Sequence, residues 1–363
     1  MTAVPVGIFG ASGHLGGELL RLLDAHPHFE LVYAARSDEV SGASLLQVHP
    51  SLRQNGSVDR VLSFEQPDSA AAAQRCRVAF LATPAATSAR LVPELLDAGV
   101  ELVVDLSPAH RLRDPDEHMR WYPDARRDEA AAQLAVYGLP ETERPALAEA
   151  RLVAAPGCFA TAIILAMLPL RRLAGVTCDA VSVDAKSGSS GSGFAPRASG
   201  MHALRSSVVS PYAPIRHRQT PEVLAAIRRQ GIEIAGAPPR FGISAWGVDA
   251  VRGLSVSVSL FVEGGIDQGV LRRALRESYR DEPFVRVQPA SGTPIPLPDP
   301  KATLGSNFCD VGAFADPATG RVVLVGALDN LVKGGAGQAI QAANVRFGFA
   351  EATGLQMLPV FPV

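Results

Sequence analysis

Pro156-Gly157-Cys158-Phe159-Ala160-Thr161 is the stretch best suited to covalent chemistry. Pro156 and Gly157 set a turn, and Ala160 to Leu170 reads as a helix, so Cys158 stands at or just before a helix N-terminus. The partial positive charge of a helix start favours thiolate over thiol, which makes this sulfur the candidate nucleophile. Free amides at the same helix start suit an oxyanion on a carbonyl under attack. Cys76, Cys178 and Cys309 lie in apolar or strand-like settings without such turn residues and read as buried and inert. The four cysteines form no C-x-x-C pair, which argues against a disulfide framework or a metal site and for a reduced, cytoplasmic setting.

Gly10-Ala11-Ser12-Gly13-His14-Leu15-Gly16 supplies a second chemistry. It follows the apolar run Val6 to Phe9 and opens a segment in which Leu15, Leu19, Leu20 and Leu23 recur at helical spacing. Glycines here let backbone amides approach a pyrophosphate at a helix N-terminus, although the spacing is G-x-x-G-x-x-G and not the commoner G-x-G-x-x-G. After the second strand the chain reads Ala34-Ala35-Arg36-Ser37 in place of the acid that binds the ribose hydroxyls of NAD, so a 2′-phosphate and hence NADP is preferred. A nicotinamide site together with an activated thiolate points to one reaction type. The sulfur carries an acyl group as a thioester, and hydride is exchanged with its carbon.

These residues need a scaffold. Strand-like runs Val6 to Phe9, Phe29 to Ala34, Val78 to Leu81 and Leu102 to Leu106 alternate with helical segments, among them Ser88 to Ala98. That order implies crossovers and a Rossmann-type doubly wound parallel sheet. From about residue 176 the pattern changes: Val181 to Asp184 and Leu254 to Leu260 alternate apolar and polar residues. Such a period implies a second, α+β catalytic domain with a largely antiparallel sheet. The Ser/Gly-rich stretch Ser187 to Gly193 and the segment on to Pro221 read as a long loop, and Asn330 to Ala350 reads as helical after a glycine-rich start. The fold class is α/β, with residues 1–157 plus 331–363 as the nucleotide domain and 158–330 as the catalytic and dimerisation domain. With 34 basic and 36 acidic residues the net charge is −2, so no overall basic excess exists to drive binding to nucleic acid or an anionic membrane. No apolar run reaches the ~18 residues that cross a bilayer, and Met1-Thr2-Ala3-Val4-Pro5 leads straight into a strand, without a signal-peptide pattern.

The chain resembles the N-acetyl-γ-glutamyl-phosphate reductases and their relatives that reduce aminoadipyl or glutamyl phosphates held on an amino-group carrier protein. Matching blocks run in order over almost its whole length: the glycine turn, Asp105-Leu106-Ser107 with Arg111-Leu112, Tyr137 to Glu141, Pro156-Gly157-Cys158, Ser187 to Gly191, Thr220-Pro221-Glu222, Ser306-Asn307-Phe308 and Asp329 to Gly334. The resemblance implies NADPH-dependent reduction of an acyl phosphate to a semialdehyde, in an arginine- or lysine-type biosynthetic route. Cys158 would be the nucleophile. Gly10, Ser12, Gly13, His14, Leu15, Gly16, Arg36, Ser37, Pro84, Ser187, Gly188 and Asn330 would hold the cofactor, and Ser107, Arg111, Arg205 and Gln219 the substrate. A homo-oligomer, dimer or tetramer, is implied as well.

Two departures matter. Where the family shows H-R-H before T-P-E, this chain has His217-Arg218-Gln219. Comparison with aspartate-semialdehyde dehydrogenases puts the general acid/base at the second imidazole, which is Gln219 here. Glutamine cannot shuttle protons, so His217 takes that role in this reading. The family's histidine after the Leu81 to Pro84 turn is Ala85. Lys186, Arg197, His202, Arg205, Arg216, His217 and Arg218 make a local basic segment that could steer an acidic partner or bind carboxylate and phosphate, and Ser189 to Gly193, His202, Arg205 and Pro211-Tyr212 look more like the carrier-protein branch than the free N-acetyl branch. An aspartate-semialdehyde-type dehydrogenase and a non-catalytic nucleotide-binding scaffold are the alternatives.

Overall fold

Six short runs, Val4–Phe9 (β1), Phe29–Ala35 (β2), Val78–Leu81 (β3), Leu102–Asp105 (β4), Ala135–Tyr137 (β5) and Leu152–Ala154 (β6), are largely apolar, Glu30 and Asp105 being the charged exceptions, because both faces of their sheet are covered. The computed structural model describes residues 3–36, 44–52, 64–173, 176–194, 200–288 and 297–361. In it these six strands form one sheet of order β2-β1-β3-β4-β6-β5 with every neighbouring pair parallel. The helix predicted from Ser88 begins three residues earlier, at Ala85, and runs to Asp97. Strands β5 and β6, three residues each, carry no period and escape the sequence reading.

Seven more strands form a second sheet: Val181–Ser187 (β7), Ser210–Ala213 (β8), Phe241–Gly247 (β9), Leu254–Phe261 (β10), Val285–Val287 (β11), Cys309–Asp316 (β12) and Arg321–Leu328 (β13). Their order is β11-β12-β13-β10-β7-β9-β8. The central pairs β12–β13, β13–β10 and β10–β7 are antiparallel, as is β9–β8, while β11–β12 and β7–β9 are parallel. The two-residue period works as expected: Val256, Val258 and Leu260 point into the core and the serines between them do not. The reading of Ser187 to Pro221 as one long loop is corrected. It contains the short helix His202–Arg205 and the edge strand β8. Pro211 and Pro214, which cannot donate to a ladder, hid that strand, and an edge is where they are tolerated.

Close packing divides the chain into two compact units, Met1–Gly157 with Gly335–Gln356, and Cys158–Gly334 with Met357–Val363. The sequence reading assigns everything after residue 330 to the first. Residues 331–334 instead stay with the second, because the Leu331 amide donates to Asp329 Oδ1 at 2.9 Å and the Gly334 amide to the Asp329 carbonyl at 2.9 Å. Near the chain end the Val360 amide donates to the Leu304 carbonyl at 3.3 Å. Val332–Ala336 form a π-helical turn that leads into the helix Gly337–Arg346.

In the first unit that last helix is tied down by a buried imidazole. His26 Nδ1 accepts from the Phe29 amide at 2.9 Å, so its Nε2 hydrogen is directed at Asn344 Oδ1, 3.1 Å away. Burial lowers the His26 pKa from 6.5 to about 4. An unfolded chain takes up this proton below about 6.5 while the folded chain refuses it down to about 4, so stability falls as the pH drops through that window. Urea midpoints measured at pH 7, 5.5 and 4.5 will decline in that order, and His26→Asn will flatten the decline. An unaltered pH dependence in the variant would contradict the assignment.

Candidate active site

The helix Cys158–Met167 begins at the cysteine itself. Residues Phe159 to Met167 are all buried, and the helix lies on β10, β12 and β13. Gly326 of β13 permits the approach, since a Cβ there would come within 2.9 Å of the Ala162 carbonyl oxygen. Cys158, at the open end, stays partly accessible, whereas Cys76, Cys178 and Cys309 are buried. Burial pushes the Cys76 thiol up to about 12 and Cys178 to about 11. Cys76 packs over β1, where a Cβ on Gly7 would come within 2.8 Å of its sulfur. Gly334 plays a comparable part for Cys158: a Cβ at that position would lie 2.7 Å from the cysteine Cβ. The glycine run that precedes the last helix is therefore needed for contact with the cysteine, a role the sequence reading missed.

His217 and Gln219 both come to this helix start. Gln219 Oε1 accepts a hydrogen bond from the Ala160 amide at 2.9 Å, so its side chain caps one of the helix's first donors. His217 is 6 % exposed, with its ring edge-on to Phe159 at 5.2 Å and to Tyr212 at 6.1 Å between centroids. The Gln219 amide directs its hydrogen at His217 Nδ1, 3.3 Å away, which leaves the proton of the neutral ring on Nε2. Burial, then the Arg218 charge, lowers the His217 pKa from 6.5 to about 4, so the ring is neutral at physiological pH.

A second group gathers at the end of β7. Arg205 Nη2 donates to the Ser187 carbonyl at 3.1 Å, and the guanidinium lies over Gly247, where a Cβ would come within 2.4 Å of Nη1. A side chain on Gly188 would run into the Val251 carbonyl at 2.6 Å. Asn330 is buried and spends its amide inside the protein: Oδ1 accepts from the Gly253 amide at 2.8 Å and Nδ2 donates to Ser190 Oγ at 2.9 Å. It thereby braces the turn that follows Ser187. Arg197 lies outside the described residues.

In the first unit the glycine turn fits a dinucleotide. Gly10 has φ +79°, and a Cβ there would meet the Ala82 carbonyl oxygen at 2.4 Å; one on Gly16 would meet the Gly10 oxygen at 2.3 Å. Neither position accepts a side chain. Gly13 is the N-cap of the helix His14–Asp24 and offers no side-chain hydrogen bond to its first amides, and no acid sits in its first turn. A helix start left uncapped and without acids fits a pyrophosphate. Ser12 and Leu15 belong to the same turn. Pro84 is the N-cap of the helix Ala85–Asp97 after β3. Arg36 follows β2 with its guanidinium carbon 5.3 Å from the Phe64 ring centroid, and Ser37 lies outside the described residues.

Ser107 and Arg111 follow β4. The Ser107 amide donates to Asp105 Oδ1 at 2.8 Å, and its hydroxyl accepts from the Ala109 amide at 3.1 Å. Arg111 donates to the carbonyls of Leu106 and Ala155, each at 2.8 Å, at the C-terminal ends of parallel strands where open α/β sheets bind ligands. Asp105 Oδ2 and His110 Nδ1 form a buried pair 2.7 Å apart, which the sequence reading did not single out.

A family model described as the semialdehyde dehydrogenase NAD binding domain matches residues 5–150, and one described as the semialdehyde dehydrogenase dimerisation domain matches residues 158–330. A protein of Nitrosopumilus maritimus, provisionally named a LysW-L-2-aminoadipate/LysW-L-glutamate phosphate reductase, is 38% identical over 99% of both chains. One of Thermomicrobium roseum, provisionally named a LysW-L-2-aminoadipate 6-phosphate reductase, is 40% identical over the same share. Among solved structures, aspartate semialdehyde dehydrogenase II of Vibrio cholerae superposes with a TM-score of 0.69 at 16% identity, covering 96% of this chain and 99% of that one. The Candida albicans enzyme with NADP gives 0.67 at 14%, covering 95% and 98%. At such identities the structures show a shared fold and nothing finer.

Proposed function

The chain belongs to the semialdehyde dehydrogenase family, and from that premise we propose that it reduces an acyl phosphate to a semialdehyde with NADPH, through a thioester on Cys158. The observation that carries this reading is Cys158 as a partly open thiol at the first residue of a buried helix. The sulfur attacks the acyl carbon, the carbon–oxygen bond to phosphate breaks, and phosphate leaves. NADPH, when bound, supplies the hydride that reduces the thioester. The carbon–sulfur bond then breaks, which releases the semialdehyde and returns the thiolate. Gly10, Gly13 and Gly16, with Ser12, His14 and Leu15, hold the pyrophosphate, Arg36 and Ser37 the 2′-phosphate, and Pro84, Ser187, Gly188 and Asn330 shape the rest of the cofactor site. Ser107, Arg111, Arg205 and Gln219 bind or orient the substrate. The reading includes a reduced, cytoplasmic setting, and a dimer or tetramer built through residues 158–330. No helix among the described residues is long and apolar enough to cross a membrane.

His217 is the proton-transfer residue of this reading and acts as a neutral imidazole. Its charge change falls near pH 4, so kcat/KM has an acid limb there and none from His217 between 6 and 7. His217→Asn will lower the rate and remove that limb; a limb that persists in the variant excludes His217 from the role.

The substrate we propose is aminoadipyl or glutamyl phosphate on a small acidic carrier protein, as the relatives' names suggest. The chain itself supports this: residues 185–221 contain no Asp or Glu, yet include Lys186, Arg197, Arg205, Arg216 and Arg218. The same stretch exposes Met201, Leu204, Val209 and Ile215 beside those charges. Such a surface steers an acidic protein. The test runs the reaction backwards, with NADP, phosphate and either the carrier-linked semialdehyde or free N-acetylglutamate semialdehyde. Turnover of the carrier-linked form should dominate and fall steeply as salt is raised. Equal turnover of both forms, or insensitivity to salt, would overturn the carrier assignment. The aspartate-semialdehyde alternative has only the shared fold in its favour.

A further inference from the structure

Resting on the thioester reading above, we propose that Tyr212 is a further catalytic residue, whose hydroxyl donates a hydrogen bond to the carbonyl oxygen of the acyl group on Cys158. The need for such a donor follows from the helix start. Gln219 occupies the Ala160 amide, so that amide cannot hold an oxyanion, and a glutamine carries no proton of its own to transfer. Tyr212 meets the requirement from β8, the edge strand of the second sheet. Its ring stands edge-on to His217 at 6.1 Å between centroids, and the same imidazole stands edge-on to Phe159, the residue that follows Cys158, at 5.2 Å.

Tyr212 as a whole residue exposes 56 % of its surface. Protein around the hydroxyl, then the Cys158 sulfur, pushes the phenol up to about 12, and Arg218 and Arg205 only partly offset this. The group keeps its hydrogen at physiological pH. Among the described residues the structure gives that hydroxyl no hydrogen-bond partner, so the donor is uncommitted. Tyr212 transfers no proton in these steps: the oxygen gains charge as sulfur or hydride adds to the carbon and loses it when phosphate or sulfur departs, and the phenol hydrogen remains on Tyr212 as a donor throughout.

The experiment measures the burst of phosphate released per enzyme from carrier-linked aminoadipyl phosphate with the cofactor left out, then steady-state turnover with NADPH. Tyr212→Phe should slow the burst and lower kcat on the order of 100-fold, with KM nearly unchanged. Alkylation of Cys158 by iodoacetamide should proceed at the wild-type rate, which shows an intact fold and sulfur. A Tyr212→Phe burst within twofold of wild type overturns the proposal. So does a loss of activity confined to Tyr212→Ala, because then the ring acts and the hydroxyl does not. A wild-type protein that releases no phosphate burst overturns the thioester reading and this proposal together; a normal wild-type burst leaves that reading standing whatever Tyr212→Phe does.

Discussion

Cys158→Ser abolishes reduction of the acyl phosphate while leaving the fold intact. A serine hydroxyl is close to the thiol in size, and the position is partly open, so the helix Phe159 to Met167 keeps its packing on β10, β12 and β13. The Gly334 backbone, which limits the space beside the Cβ, also accommodates serine. The chemistry does not survive. A hydroxyl without an adjacent strong base is hardly ionised at neutral pH and is a poor leaving group from the tetrahedral carbon, so the loss should be on the order of 10⁴-fold or more. Neither buried thiol of the second unit can substitute, because Cys178 and Cys309 are closed to substrate. The check pairs NADPH oxidation with a thermal melt. A melt near that of wild type and no detectable turnover is the expected pair; turnover within tenfold of wild type would remove the sulfur from the mechanism.

Arg36→Ala raises KM for NADPH on the order of 30- to 100-fold and leaves NADH nearly unaffected. The two cofactors differ only by the 2′-phosphate, and losing a charged partner for that group costs about 2–3 kcal/mol. Arg36 follows β2, where its amide donates to the Glu65 carbonyl at 3.1 Å and its guanidinium packs over Phe64. Alanine keeps the amide bond and removes only the charge and the stacking. KM values for both cofactors in both proteins decide the matter. Equal losses would show that Arg36 does not read the 2′-phosphate.

Much of this architecture was legible in the residues, for physical reasons. Strands covered on both faces are near-continuous apolar runs, so Val78 to Leu81 and Leu102 to Val104 stand out; a strand with one covered face must alternate, as Leu254 to Leu260 does. The Pro156-Gly157 turn before an apolar run marks the helix start that carries Cys158. What escaped lacks a local signature. Ala135–Tyr137 and Leu152–Ala154 are strands only because neighbours in the sheet pair with them. The strand Ser210–Ala213 contains a proline and is followed by another, so it reads as loop. The capping of Ala160 by Gln219 and the contact of Gly334 with Cys158 join residues far apart in the chain, and nothing in either local sequence announces the partner. The sequence shows a glutamine at 219, but not what its side chain holds. Likewise Arg205 is recognisable as a basic residue near the site, whereas the bare backbone of Gly247 beneath its guanidinium appears only in three dimensions.

Intact-mass spectrometry after mixing the protein with carrier-linked aminoadipyl phosphate, with NADPH omitted, tests the covalent step most directly. One acyl adduct per chain, released by hydroxylamine, mapped to the peptide containing Cys158 and missing from Cys158→Ser, is the result predicted here. Steady turnover by the wild-type protein with no adduct on that peptide, or with the adduct on another residue, would contradict it.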